Sequence, residues 1–237
     1  MRGDYCERRA GFTRSLGATK SLQDPDSKPT AQFEIALVVT IFAGWLVLSS
    51  VNAVLAGFPE PSLSDREAIG IAAFESIAFA VAASVLWSRG WRANDFLPRI
   101  SWWLTFVGVV LGGAALLVDF LSSALIGSLV GGHNFLIEFA ESISLSLPVA
   151  LLVSIVNGAY EEFFLSRYLL EALAGYGAPV ALGFSALVRV ACHLHQGPTG
   201  AVTVLLFGLI LTLFYWRYRE VWPVMVAHML ADFVAFV

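Results

Sequence analysis

Three stretches of this sequence set ionisable side chains inside apolar runs: Ala159-Tyr160-Glu161-Glu162-Phe163-Phe164, Arg189-Val190-Ala191-Cys192-His193, and Val226-Ala227-His228-Met229-Leu230-Ala231-Asp232. An ionisable group at membrane depth is expensive unless it faces a partner or a water-filled cavity, so each stretch is a candidate functional position. Consecutive helical residues point about 100° apart, so only one of Glu161 and Glu162 aims squarely into a site and the other is left for a supporting contact. Arg189 and His193 stand four apart on one helix face, as do His228 and Asp232. His195 falls about 200° round from His193 and shares its pocket only if the helix ends there. A carboxylate held in hydrocarbon is a candidate general base. One that sits a turn from a histidine can fix the tautomer of the ring. The same residues also admit a purely structural reading, as a carboxylate pair neutralised by helix–helix hydrogen bonds and a self-satisfied His–Asp pair.

The elements that must carry these residues are membrane helices. Of the 237 residues, 58% are apolar and 14% charged, against roughly half and a quarter in soluble domains. Apolar runs at 33–57, 67–88, 102–127, 145–173, 179–195, 200–218 and 221–237 lie near the roughly 20 residues that cross a bilayer. The expected fold is all-α, a polytopic transmembrane helix bundle of about seven spans. It divides into a disordered cytoplasmic tail (1–32), N-terminal membrane helices (33–144) and a C-terminal membrane core (145–237) that carries the three ionisable stretches. Residues 131–144, with Glu138 and Glu141, read as an interfacial helix, and Gly108 and Gly112 as a close helix contact. Six of the basic residues, Arg2, Arg8, Arg9, Arg14, Lys20 and Lys28, stand in the tail, and the loops beyond alternate between basic-rich and basic-poor. That bias places the N-terminus in the cytoplasm. At a net charge of −4 there is no basic face for nucleic acid. Cys6 and Cys192, in a polar tail and an apolar run, form no disulfide framework. Counted from the cytoplasmic ends at about 1.5 Å per residue, His193 lies deeper than His228, so the fifth helix is expected to tilt or begin late.

The order of these motifs is more specific than any one of them. A Glu-Glu pair, a histidine some thirty residues on and a terminal His-x-x-x-Asp, each in its own apolar run, resemble the CAAX prenyl protease and bacteriocin-processing family of intramembrane proteases. The resemblance covers roughly residues 145–237 and extends to His193-Leu194-His195-Gln196-Gly197, similar to a His-Leu-Tyr-Gln-Gly frequent in bacterial members. Two positions depart from the family pattern. Its Glu-Glu-x-x-x-Arg has Ser166 at the arginine position, with Arg167 one step late, and its Phe-x-x-x-His has Arg189 in place of phenylalanine. Arg189 comes from another helix and is expected to substitute for the missing arginine, by pairing with Glu162 or by lining the pocket beside His193.

The resemblance implies that Glu161 and His193 activate a water while His228 and Asp232 hold the developing oxyanion, with Glu162 and Arg189 in support. It also implies hydrolysis without metal or cofactor, although Glu161, His193, His228 and Asp232 are a donor set that zinc accepts. No His-Glu-x-x-His stands in the chain to mark a zinc protease. The implied partners are a membrane-associated peptide or protein substrate and the lipid bilayer, in a protein integral to a bacterial plasma membrane. Two other classes remain open: a non-catalytic membrane partner or bacteriocin-immunity protein with a structural polar cluster, and a proton-coupled carrier using Glu75 and Asp119 as further intramembrane carboxylates.

Overall fold

A computed structural model describes residues 28–59, 62–130, 143 and 145–237, and every regular element among them is helical. The solvated tail expected over 1–32 lies outside the described residues as far as position 27, as does the interfacial helix expected over 131–144 except for residue 143. Contacts divide the chain at Glu34, and the packing below concerns Ile35 onward. Helix α1 (Lys28–Leu55) starts ahead of its apolar run with Pro29 in its first turn, where a missing N–H deprives no intrahelical bond. Then come α2 (Asp65–Ser88), the short α3 (Ala93–Phe96), α4 (Trp102–Val130) and α5 (Leu147–Glu161). The α5 axis continues through a π-helical stretch, Glu162–Tyr168, into α6 (Leu169–Ala172). Helices α7 (Ala178–Cys192), α8 (Gly197–Tyr218) and α9 (Val221–Phe236) complete the order.

Five of these segments are long and apolar enough to cross a membrane, and α7 and α9 are shorter apolar helices. At 15 and 16 residues these two extend about 22–24 Å, short of the roughly 30 Å of hydrocarbon. The seven apolar runs thus become seven helical segments of a polytopic bundle, five of them full-length. Its central member is Leu147–Ala172, whose apolar window is 61% buried in protein against 17–33% for the other four.

Small residues let the neighbours close on this axis. A Cβ on Gly158 would come within 2.8 Å of the Met229 backbone nitrogen, so α5 and α9 touch almost backbone to backbone and run antiparallel, with Leu145 N–H bonded to Phe236 C=O at 3.2 Å. Gly108 and Gly112 meet Val226 and Ala227, the close contact expected of them, and set α4 parallel to α9. Helix α2 runs parallel to α5. Ser64 and Glu67 close a capping box at its start, Asp65 accepts the Ser146 N–H at 2.9 Å, and Ala68 and Ala72 pack with Ala150 and Val153. The buried face of α2 is Ala68, Ala72, Glu75, Ala78, Ala82 and Leu86, a helical stripe of small residues broken by one carboxyl group.

Candidate active site

The π-helical stretch begins at the second carboxylate of the pair. Phe163 and Phe164, both fully buried, lock it from one side. Phe163 packs on Phe79 and Phe96, and Phe164 stacks on Phe42 at 4.8 Å between ring centres. A π turn widens the helix and re-aims its side chains. With the aromatic pair committed to the core, Glu161 and Glu162 both turn toward α7, and both meet Arg189.

Arg189 is 1% exposed and the largest fully buried side chain described. Its planar fork spans the pair, Nη2 donating to Glu162 Oε1 at 2.7 Å and Nη1 to Glu161 Oε2 at 3.4 Å. A Cβ on Gly208 of α8 would lie 2.4 Å from Arg189 Cδ and 2.6 Å from Nε, so the guanidinium occupies space that only a glycine leaves. Ser166, at the position where the family pattern has arginine, donates its hydroxyl to Glu162 Oε2. Arg167 faces away and lies 3.9 Å from Glu171, which also accepts the Tyr215 hydroxyl.

Helix α7 begins at Ala178, at the head of its apolar run rather than late, after a 3-10 turn at Ala174–Tyr176 and a Gly177 with φ of 89°, and it ends at Cys192. His193 is its C-terminal cap. The helix ends where His195 needs it to, and the His195 ring stacks on that of His193 at 5.9 Å. Ser50 of α1 holds the turn by donating to the Cys192 carbonyl and meeting His195 Nδ1 at 2.9 Å. His193 Nδ1 lies 2.9 Å from the Arg189 carbonyl oxygen. A carbonyl only accepts, so Nδ1 carries the proton. Nε2 then faces Glu161 Oε1 at 3.7 Å, too long for a direct hydrogen bond.

On α9, His228 Nδ1 lies 2.7 Å from Glu162 Oε1 and Nε2 3.5 Å from Asp232 Oδ1. The other Asp232 oxygen accepts from Asn157 Nδ2 at 2.8 Å. All six residues singled out in the sequence therefore form one connected cluster. The division of labour within the glutamate pair is sharp. Glu162 is saturated by Arg189, His228 and Ser166, whereas among the described residues Glu161 keeps only the long contact to Arg189 and the open side toward His193.

Three contributors escaped the sequence reading. Asn157 stands one turn before Glu161, the same four-residue spacing that marked Arg189 with His193 and His228 with Asp232, and that spacing was its signal. Gly208 gave none, because its role depends on which side chain another helix sends toward it. Glu75, first noticed only as an extra membrane carboxylate, is 1% exposed, and its Oε2 has no hydrogen-bond partner among the described residues. Its strongest charge interactions are with Glu161 and then Asp232. Asp119 instead interacts with Thr203 of α8.

The cluster thus lies within a bundle of helices of which five, among the described residues, are long and apolar enough to cross a membrane. Residues 143–234 match the family model described as type II CAAX prenyl endopeptidase Rce1-like, and that segment contains all six cluster residues. No curated protein and no solved structure matches the chain.

Proposed function

We propose that the chain is an intramembrane endopeptidase of the CAAX and bacteriocin-processing type, in which Glu161 activates a water to hydrolyse a peptide bond of a membrane-associated substrate. The observation that carries this reading is the open face between Glu161 Oε1 and His193 Nε2, 3.7 Å apart, with the imidazole fixed from behind by the Arg189 carbonyl. A water in reach of both gives one proton to the carboxylate and hydrogen-bonds to the Nε2 lone pair as its oxygen bonds to the substrate carbonyl carbon. His228 stands on the side of the oxygen that then gains charge, with Asp232 orienting its ring. As the carbon–nitrogen bond breaks, the proton on Glu161 passes to the leaving amine, which returns the carboxylate. Arg189 and Glu162 hold the geometry without taking part in bond changes.

An apolar cavity of about 390 Å³, lined by Phe79, Phe96, Ile155, Phe163, Trp222 and Met229 among others, lies against the next face of α5 and suits the hydrocarbon part of a lipid-anchored substrate. The charge bias of the loops supports a cytoplasmic N-terminus. The test is cleavage of prenylated and unprenylated CAAX peptides and of unmodified membrane peptides by protein purified in lipid. Activity that survives exhaustive chelation and disappears in Glu161→Gln supports glutamate-type hydrolysis without metal. Loss on chelation with recovery on adding Zn²⁺ makes the same residues ligands. One observation favours a second reading, a non-catalytic partner with a structural lock, namely the complete saturation of Glu162 by protein groups. It prevails if no peptide is cut and Glu161→Gln leaves the protein's behaviour unchanged.

A further inference from the structure

We propose that Asn157 supplies a hydrogen-bond donor to the oxyanion, an assignment that rests on the hydrolytic reading above. The pairing implied by family resemblance, His228 with Asp232, is short of donors. An ionised carboxylate only accepts, so Asp232 in that form cannot hold a developing negative charge and would repel it. His228 turns both ring nitrogens toward carboxylates, Nδ1 to Glu162 at 2.7 Å and Nε2 to Asp232 at 3.5 Å.

Asn157 resolves the shortage. Because Asp232 Oδ2 can only accept, the atom 2.8 Å from it must be the amide nitrogen, which fixes which way the side chain points. That nitrogen carries two hydrogens. One is given to Asp232, and no other hydrogen bond of the amide nitrogen exists among the described residues. Asn157 lies one turn before Glu161 on the same face of α5, so a carbonyl attacked by a Glu161-bound water sits on the side of the helix that the amide shares. Access agrees with this placement. Glu162, Ser166 and Arg189 are fully buried, whereas Asn157, His193 and Asp232 are only partly so, and they mark the edge of the cluster from which a peptide can approach. Asp232 is then a positioning residue that holds the amide and the imidazole, and Asn157 is a catalytic residue.

The experiment uses full-length protein in lipid, a quenched-fluorescent prenylated CAAX peptide, and a matched phosphonate peptide as a mimic of the tetrahedral intermediate. Asn157→Ala should lower kcat by about 10²–10³-fold with KM little changed, the range measured for loss of one oxyanion donor. It should weaken the phosphonate far more than the uncleaved peptide. Asn157→Asp sets two carboxylates face to face, and the double variant Asn157→Asp with Asp232→Asn, which exchanges acid and amide between the helices, should recover at least about tenfold of the loss. Asn157→Ala with wild-type kcat, or with equal losses of phosphonate and peptide affinity, overturns the assignment. Should Asn157→Asp fail to fold, Asn157→Ala and the exchange variant still decide it. A wild type that neither cleaves the peptide nor binds the phosphonate sinks the hydrolase reading itself, whereas a phosphonate bound equally by wild type and Asn157→Ala sinks only the role of Asn157.

Discussion

Arg189 Nη2 and His228 Nδ1 both donate to one oxygen, Glu162 Oε1, each at 2.7 Å. A single carboxylate oxygen thus ties α7 and α9 to the π-helical stretch after α5, and the neutralising cation comes from a different helix than its carboxylates. Removing one member of a buried ion pair leaves the other charge stranded, at a cost of about 3–5 kcal/mol. Arg189→Leu should therefore lower the unfolding free energy in detergent by that much, and Arg167→Leu, which loses a partly exposed contact to Glu171 at 3.9 Å, should cost under about 1 kcal/mol. Equal effects would show that the cluster does not depend on the α7 cation.

Gly208→Ala tests the space that Arg189 occupies. The added methyl meets Arg189 Cδ at 2.4 Å, and either α8 withdraws or the guanidinium leaves the glutamates. Overpacking of this sort costs about 1–3 kcal/mol, and any peptidase activity should fall with it. Gly113→Ala on α4, where an added Cβ meets nothing within 4 Å, is the control and should be neutral or slightly stabilising through helix propensity. A thermal-shift comparison of the two variants in one detergent separates local collision from a general intolerance of alanine in these helices.

Glu75 makes the opposite prediction. A carboxyl group with one buried oxygen that has no hydrogen-bond partner among the described residues, exposed to the charges of Glu161 and Asp232, contributes little stability, since a buried polar atom left unsatisfied is unfavourable. Glu75→Gln should leave the unfolding midpoint unchanged or raise it. A proton-coupled carrier would lose transport in the same variant, so a proton-uptake assay in vesicles that falls in Glu75→Gln would revive that class.

The helical class and the connected cluster were legible in the sequence because both rest on strong local signals, namely long apolar runs and charges that hydrocarbon tolerates only in company. The contact of Arg189 with Glu162 was legible because Arg167, five residues from Glu162, falls off its helix face, whereas Arg189 comes from a different helix and can approach. What the sequence could not convey was direction. The 100° rule left one glutamate facing the site and the other aside, yet the π stretch and the buried Phe163 and Phe164 let both reach Arg189, and that register depends on α1, α2 and α3 rather than on residues near the pair. Glu75 was legible only as a further intramembrane carboxylate for the same reason, since the residues of α5 and α9 whose charges act on it stand far away along the chain.

Position 166 and position 189 both reach Glu162, one by a serine hydroxyl and one by a guanidinium, which makes their exchange the sharpest test of how the charge is supplied. Ser166→Arg with Arg189→Phe restores both residues of the pattern that the sequence resembles. Arg189→Phe alone leaves two buried carboxylates without their cation, for about 3–5 kcal/mol. Ser166→Arg alone forces a second long side chain into a filled site, for about 1–3 kcal/mol. Together the new arginine takes the place of the old beside the same glutamates, so the double variant should lose less than the sum of the singles by about 0.5–3 kcal/mol, the coupling typical of residues that share a partner. Unfolding midpoints of all four proteins in one detergent measure this directly. If the losses simply add, Arg189 does not stand in for an arginine at 166, and its contact with Glu162 serves another purpose, such as holding α7 at the depth that brings His193 to Glu161.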